Sequence, residues 1–225
     1  MSKLILMRHG QASFAQKRYD VLSEMGRVQA LITGERVQRT QKYLSLAVHG
    51  PRQRHVDTAQ LVLGGTYLNT EVRSDPRLDE FAEGEDLLSA AGAILNLQLT
   101  NKSSASRREQ LRAYDIACKA WTANEVAIPG RPDFSEFRLR VKDWLAELVD
   151  GKNQPRGEHI LAVTSAGVIG AAVCEVLGLP DVHWHGLMEV IRNASLTELV
   201  FSKDRCSLLT FNCSSHLSTE LISSI

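Results

Sequence analysis

Lysine plus arginine number 26, as do aspartate plus glutamate, so no surplus charge of either sign draws the molecule to nucleic acid or an anionic membrane. Any anion site must be local. Cysteine is scarce: Cys118, Cys174, Cys206 and Cys213 form no CxxC pair and have no histidine at ligand spacing. That excludes a disulfide scaffold and predicts reduced thiols in the cytosol. His183-Trp184-His185 offers two histidines without a third ligand in register, so no metal is expected. The run Met1 to Met7 meets Arg8-His9 too soon for a signal peptide or a membrane span, and the expectation is a soluble cytoplasmic protein. No repeat, low-complexity tract or interdomain linker interrupts the 225 residues, of which 44% are hydrophobic and 23% charged. That suffices for a single domain, 1–225, with a core that needs no staples.

Lys3 to Met7 is a continuous apolar run, as in a strand buried on both faces. Ser23 reads as the N-cap of a helix to about Gln41 with Val28, Leu31 and Ile32 on its apolar face. A second strand is expected over Tyr43 to His49, a helix from Gln53 to Leu63 closed by Gly64-Gly65, and a short strand over Asn69 to Arg73. Asp86 to Glu125 reads as one or two helices broken by the polar stretch Asn101 to Arg107, part of a helical insertion around 86–132 over one edge of the sheet. Apolar positions at Phe137, Val141, Trp144, Leu145 and Leu148 predict a helix over Phe134 to Val149. A polar connection over Lys152 to Gly157 leads to a strand over His159 to Thr164. It is followed by a buried helix, Ala166 to Leu177, ended by Gly178. The tail from Leu187 to Cys213 reads as strands with a turn at Ser202 to Arg205.

In an open α/β sheet, ligands gather at the carboxyl ends of the strands, where helix amino termini attract anions. Three segments fall there: Arg8-His9-Gly10-Gln11, Gly50-Pro51-Arg52-Gln53-Arg54, and Ser165-Ala166-Gly167. Their residue types suit phosphoryl transfer. A neutral imidazole is a good nucleophile, and guanidinium forks match the oxygens of a phosphoryl group.

The chain resembles the histidine phosphatase (phosphoglycerate mutase-like) superfamily. Arg8-His9-Gly10 matches its signature tripeptide after the first strand, Arg54 precedes Thr58-Ala59 at the family spacing, and Leu78, Glu80 and Gly84 match its acidic block. Asn193 to Phe201 is similar to the final loop and strand. The resemblance implies a three-layer α/β sandwich with a mostly parallel central sheet flanked by helices. It also implies a phosphomonoesterase that forms a phosphohistidine on His9. Arg8 and Arg54 would clamp the phosphate, assisted by Gln11 and Ser165, and Glu80 would protonate the leaving oxygen and then activate water. The partner implied is a small phosphorylated substrate, with no cofactor.

One block departs from the family. Where most members carry a histidine after the late strand, Val163-Thr164-Ser165-Ala166-Gly167 places Ser165. A neutral hydroxyl in place of a charged donor predicts a slower enzyme. Ser165→His is expected to restore the donor if nothing else fills the gap. His49, at a strand end, is read as a better substitute than His55, whose neighbour Arg54 points about 100° away around the helix; both histidines are most simply ordinary structural residues. Two alternatives stand beside the phosphatase reading. One is mutase-type phosphoryl transfer, disfavoured because Tyr114 to Pro129 lacks an arginine- and proline-rich insertion. The other is a phosphate-binding or interaction module with weakened catalysis.

Overall fold

The structure, a computed structural model, describes residues 1–13, 20–64, 70–95, 106–149, 157–202 and 205–224. Its strands are β1 Ser2–Arg8, β2 Leu46–His49, β3 Glu71–Ser74, β4 His159–Thr164, β5 Leu196–Ser202 and β6 Arg205–Cys213. Its helices are α1 Glu24–Thr40, α2 Gln53–Leu63, α3 Gly84–Leu95, α4 Arg107–Thr122, α5 Phe134–Val149, α6 Ala166–Leu177 and α7 Trp184–Val190. The strands form one sheet in the order β3-β2-β4-β1-β5-β6. β1 to β4 are mutually parallel, whereas β5 and β6 are antiparallel to their neighbours.

The continuous apolar character of β1 has a direct cause. Leu4 and Leu6 face one core, shared with Trp144 of α5 and Val168 of α6, while Ile5 and Met7 face the other, shared with Ala30 and Val37 of α1 and Ala59 of α2. Ile160 and Ala162 of β4 divide from Leu161 and Val163 in the same way. A sheet covered on both faces has no solvent side on which to place polar residues. The result is the expected three-layer α/β sandwich. Helices α2, α5 and α6 and strand β4 have the bounds expected from the sequence, and Gly178 ends α6 in the left-handed conformation, φ 63°.

The face of α1 differs from expectation. Val28 and Leu31 are 43% and 50% exposed, and the buried stripe is Gly26, Gln29, Ala30, Thr33, Gly34 and Val37. Close approach, not apolar volume, sets this contact. A Cβ on Gly26 would lie closer than 3.0 Å to the backbone oxygen of Gln11, and one on Gly10 closer than 3.0 Å to that of Gly26. The polar members are satisfied, Gln29 by the backbone nitrogen of Gln11 (2.8 Å) and the carbonyl of Leu221 (2.7 Å). Gly26→Ala must push α1 off the His9 loop and is expected to cost about 1–3 kcal/mol. Thermal denaturation of the variant checks this, and an unchanged Tm would contradict it.

The tail also departs from expectation. Leu187 to Val190 belongs to α7, because Trp184 anchors that segment by donating its indole N–H to Gly167 O (2.9 Å) and packing edge-on against Phe81 (5.1 Å). Tertiary contact overrides the strand propensity of Val190. Helices α3 and α4 bury Leu87, Ala91, Ala117 and Trp121 in the same core, with Trp121 stacked on Phe81 at 4.6 Å. Their packing supports the loop that carries Glu80. β2 begins at Leu46 because Tyr43 instead stacks on His159 and donates its hydroxyl to Gly157 O. β3 is exposed along its length. Residues 69, 101–105, 152–156 and 203–204, on which parts of the expected strand, polar break, connection and turn fall, lie outside the described residues. Among the described residues, no helix is long and apolar enough to cross a membrane.

Candidate phosphate site

β4 lies between β1 and β2, with Arg8 opposite Thr164 and His49 opposite Val163. The three carboxyl ends are therefore adjacent: His9 N donates to Thr164 O (2.9 Å) and Gly50 N to Val163 O (3.0 Å). Segments far apart in sequence, each at a strand end, thus lie side by side at one end of the sheet.

The tautomer of His9 follows from its partners. Nδ1 lies 2.7 Å from Gly10 O, which can only accept, so Nδ1 carries the proton. Arg54 Nε can only donate, and it donates to Nε2 at 3.2 Å. The Nε2 lone pair is thereby presented to the guanidinium. Burial holds His9 well below its ordinary pKa, assisted by the charges of Arg54, His55 and Arg8 and opposed by the Gly10 bond. The ring stays neutral.

Arg54 lies in the first turn of α2 and is 3% exposed. Its Nη1 pairs with Asp20 at 2.9 Å and lies 3.8 Å from Glu83. Asp20 also accepts from the backbone nitrogens of Gln53 (2.9 Å) and Arg54 (3.4 Å), so a carboxylate already occupies the anion-seeking start of α2. Thr58, one turn on, donates to Arg54 O (2.7 Å) and accepts from Gly10 N (3.2 Å). The four-residue spacing of Arg54 and Thr58 is what lets one helix face hold both the guanidinium and the His9 loop.

Glu80 approaches from the other side. Thr164 Oγ1 donates to Leu78 O (2.7 Å), fixing the loop over the end of β4. The carboxylate accepts from Phe81 N (3.0 Å) and from Gly167 N (3.3 Å) in the first turn of α6. Burial raises its pKa, against the Phe81 bond, the charges of Arg52 and Arg54, and the Gly167 bond. Gly167 is required here, because an added Cβ would lie closer than 3.0 Å to both Glu80 Oε1 and the Phe81 ring. Gly167→Ala is expected to displace the carboxylate; if Glu80 is the general acid that the family resemblance implies, turnover should fall by ~10-fold or more while KM changes little. Steady-state kinetics checks this, and an unaltered kcat would contradict it.

The family model of the histidine phosphatase superfamily (branch 1) matches residues 4–89 and 98–214. The chain belongs to this superfamily. Comparison with curated protein sequences finds no match. Among solved structures, Bacillus stearothermophilus YhfR is 20% identical with a TM-score of 0.71, covering 97% of this chain and 100% of that one. A mycobacterial glucosyl-3-phosphoglycerate phosphatase in complex with inorganic phosphate is 26% identical with a TM-score of 0.69, covering 96% and 99%. Entamoeba histolytica phosphoserine phosphatase in complex with 3-phosphoglyceric acid is 21% identical with a TM-score of 0.68, covering 97% and 100%.

Within this histidine phosphatase fold the expected residues are distributed unevenly. His9, Arg54 and Glu80 converge around the ends of β1 and β4. Arg8 directs Nη1 to the carbonyls of Ile191 and Ser224, the latter at 2.6 Å, so part of its guanidinium anchors the carboxyl-terminal segment. Gln11 accepts from Ser23 Oγ at 2.8 Å. Ser165 opens α6, and its Oγ lies 2.7 Å from His55 Nε2. That contact corrects the reading of the two spare histidines. His55 is fully buried, with its ring centroid 5.4 Å from that of His9, whereas His49 lies beside its own neighbour, Nδ1 to Gly50 O at 2.9 Å. The site wraps around the first turn of α2, so residues 100° apart on that helix both reach it, Arg54 from the Asp20 side and His55 from beneath Gly50. Gly50 makes the room, since a Cβ there would lie closer than 3.0 Å to His55 Nδ1.

Arg52 is a further buried cation that the sequence reading passed over. It pairs with Asp79 and Glu83, and its Nη2 donates to Glu80 O at 3.4 Å. Its spacing of two residues from Arg54, on the turn that opens a helix, was the available signal. Asp79 and Glu83 are counter-charges of this arginine pair.

Proposed function

We propose that this protein is a cytoplasmic phosphatase that hydrolyses a small phosphomonoester through a phosphohistidine on His9. The observation that carries the reading is the tautomer of His9: Gly10 O holds the proton on Nδ1, and the nucleophilic Nε2 faces the Arg54 guanidinium. Nε2 attacks phosphorus as the ester P–O bond breaks. Glu80, whose pKa burial raises, gives its proton to the departing alkoxide. It then takes a proton from the water that attacks the phosphohistidine, so phosphate leaves and both groups return to their starting states. Arg54, with Arg8, Gln11 and Ser165, holds the equatorial oxygens. Superfamily membership and phosphatases among the structural neighbours support the reaction class.

Activity needs His9 neutral and Glu80 protonated. Depression of the first pKa and elevation of the second widen the interval in which both hold, and the rate is expected to fall on its acid and on its alkaline side. A rate flat from mildly acid to alkaline pH would contradict the assignment of Glu80. The functional test is hydrolysis of p-nitrophenyl phosphate, phosphoserine and 3-phosphoglycerate by wild type and His9→Ala. Wild type is expected to turn over at least one of them and the variant to lose ~10³-fold or more. Equal rates in the two proteins would refute the reading.

A further inference from the structure

The position after β4 and the third residue of α2 form one hydrogen-bonded unit, and the proton count in it is informative. His55 Nδ1 is buried and has no hydrogen-bond partner among the described residues. A proton there would be an unpaired buried donor, costlier than an unpaired lone pair. The proton therefore belongs on Nε2, where Ser165 Oγ at 2.7 Å accepts it. A hydroxyl has one proton and two lone pairs. With a lone pair engaged by His55, the Ser165 proton is left for another acceptor, and Ser165 caps no backbone nitrogen of α6.

We propose that His55 acts through Ser165 as a two-member donor relay to the phosphoryl group, Nε2–H to Oγ, and Oγ–H to a phosphoryl oxygen. It replaces a histidine at the end of β4 by one placed in α2. The proposal rests on the reading of His9 as phosphoryl acceptor. Ser165 touches the substrate, and His55 is a positioning residue that orients and polarises the hydroxyl. The geometry is consistent throughout: β4 is the immediate neighbour of β1, the two imidazoles stand 5.4 Å apart, and Gly50 supplies the space for His55. Burial and the charges of Arg54, Arg52 and His49 keep His55 neutral, so the relay is an uncharged donor. No bond to phosphorus is made or broken by either residue, and no proton is lost from the pair.

The experiment is a mutant cycle on p-nitrophenyl phosphate hydrolysis and orthovanadate binding, using Ser165→Ala, His55→Phe, their double variant, His55→Gln and His9→Ala. Ser165→Ala and His55→Phe are each expected to lower kcat by ~10–100-fold and weaken vanadate, and the double variant to be no worse than about 3-fold below the poorer single. His55→Gln keeps an N–H in reach of Ser165 and should recover most of the loss. Ser165→His alone should reduce activity by colliding with His55, and adding His55→Ala should restore it. Losses that multiply in the double variant, or a His55→Gln variant as poor as His55→Phe, would overturn the relay and leave His55 a packing residue. If His9→Ala is inactive while Ser165→Ala matches wild type, the relay fails and the phosphatase reading stands; if His9→Ala matches wild type, the reading fails and the relay with it. Should wild type turn over no ester, vanadate affinity decides: undiminished binding in Ser165→Ala and His55→Phe overturns the proposal, and parallel weakening supports it.

Discussion

Arg54→Met is expected to lower kcat/KM for a phosphomonoester by about 10³-fold, at the upper end for loss of one preorganised donor to a transferring phosphoryl group. The residue acts twice. Its Nε donates to His9 Nε2, the proposed nucleophile, so it is placed to hold oxygens of the group that His9 would attack. Its charge also helps keep His9 neutral, second only to burial among the causes of the lowered pKa. Removing the charge raises the His9 pKa, so the acid limb of the rate profile moves to higher pH and the deficit is greater in mild acid than at neutrality. Arg54→Lys should lie between, because an ammonium keeps the charge and loses the fork. A loss under about 10-fold, or an acid limb that does not rise, would contradict both roles.

Glu80→Gln is expected to cost about 10²–10⁴-fold with poor leaving groups such as an alkyl phosphate. The loss should be smaller with p-nitrophenyl phosphate, whose phenolate departs without a proton. The carboxamide has nearly the same shape, so the change removes the titrating group while preserving most of the packing against Phe81 and Gly167. The alkaline limb of kcat/KM, which reports loss of the Glu80 proton, should disappear with it. A uniform loss across leaving groups, with the alkaline limb retained, would assign the acid role elsewhere. Asp79 and Glu83 are poor candidates, since both are paired with Arg52.

How far the sequence could be read depended on whether neighbours or distant contacts decide a residue's environment. β4 and α6 were legible because burial on all sides leaves an unbroken apolar run. α5 was legible because its apolar positions recur at helical spacing. α1 was misread since its buried stripe is built from Gly26, Ala30 and Gly34 with Gln29 and Thr33. Small and polar residues give no periodic apolar signal when the contact is a close backbone approach. α7 was misread because Trp184 is held by α6 and Phe81, contacts far away in sequence. In the site, His9, Arg54 and Glu80 stood at recognisable offsets, and strand order brought them together. His55 was discounted on helical angles alone, an argument valid for a flat surface facing one side of a helix. It fails where a site encloses the helix start and a glycine, Gly50, opens the path to the inner side.

Trapping the covalent intermediate is the most direct measurement of the central claim. Wild type mixed with p-nitrophenyl phosphate and quenched in base should carry one phosphoryl group, stable to alkali and labile to acid, on the peptide containing His9. Burst release of p-nitrophenolate should match the amount of labelled enzyme, and both should vanish in His9→Ala. Hydrolysis that proceeds with no acid-labile phosphoryl group on that peptide, or with the group on Ser165 or another residue, would contradict the account.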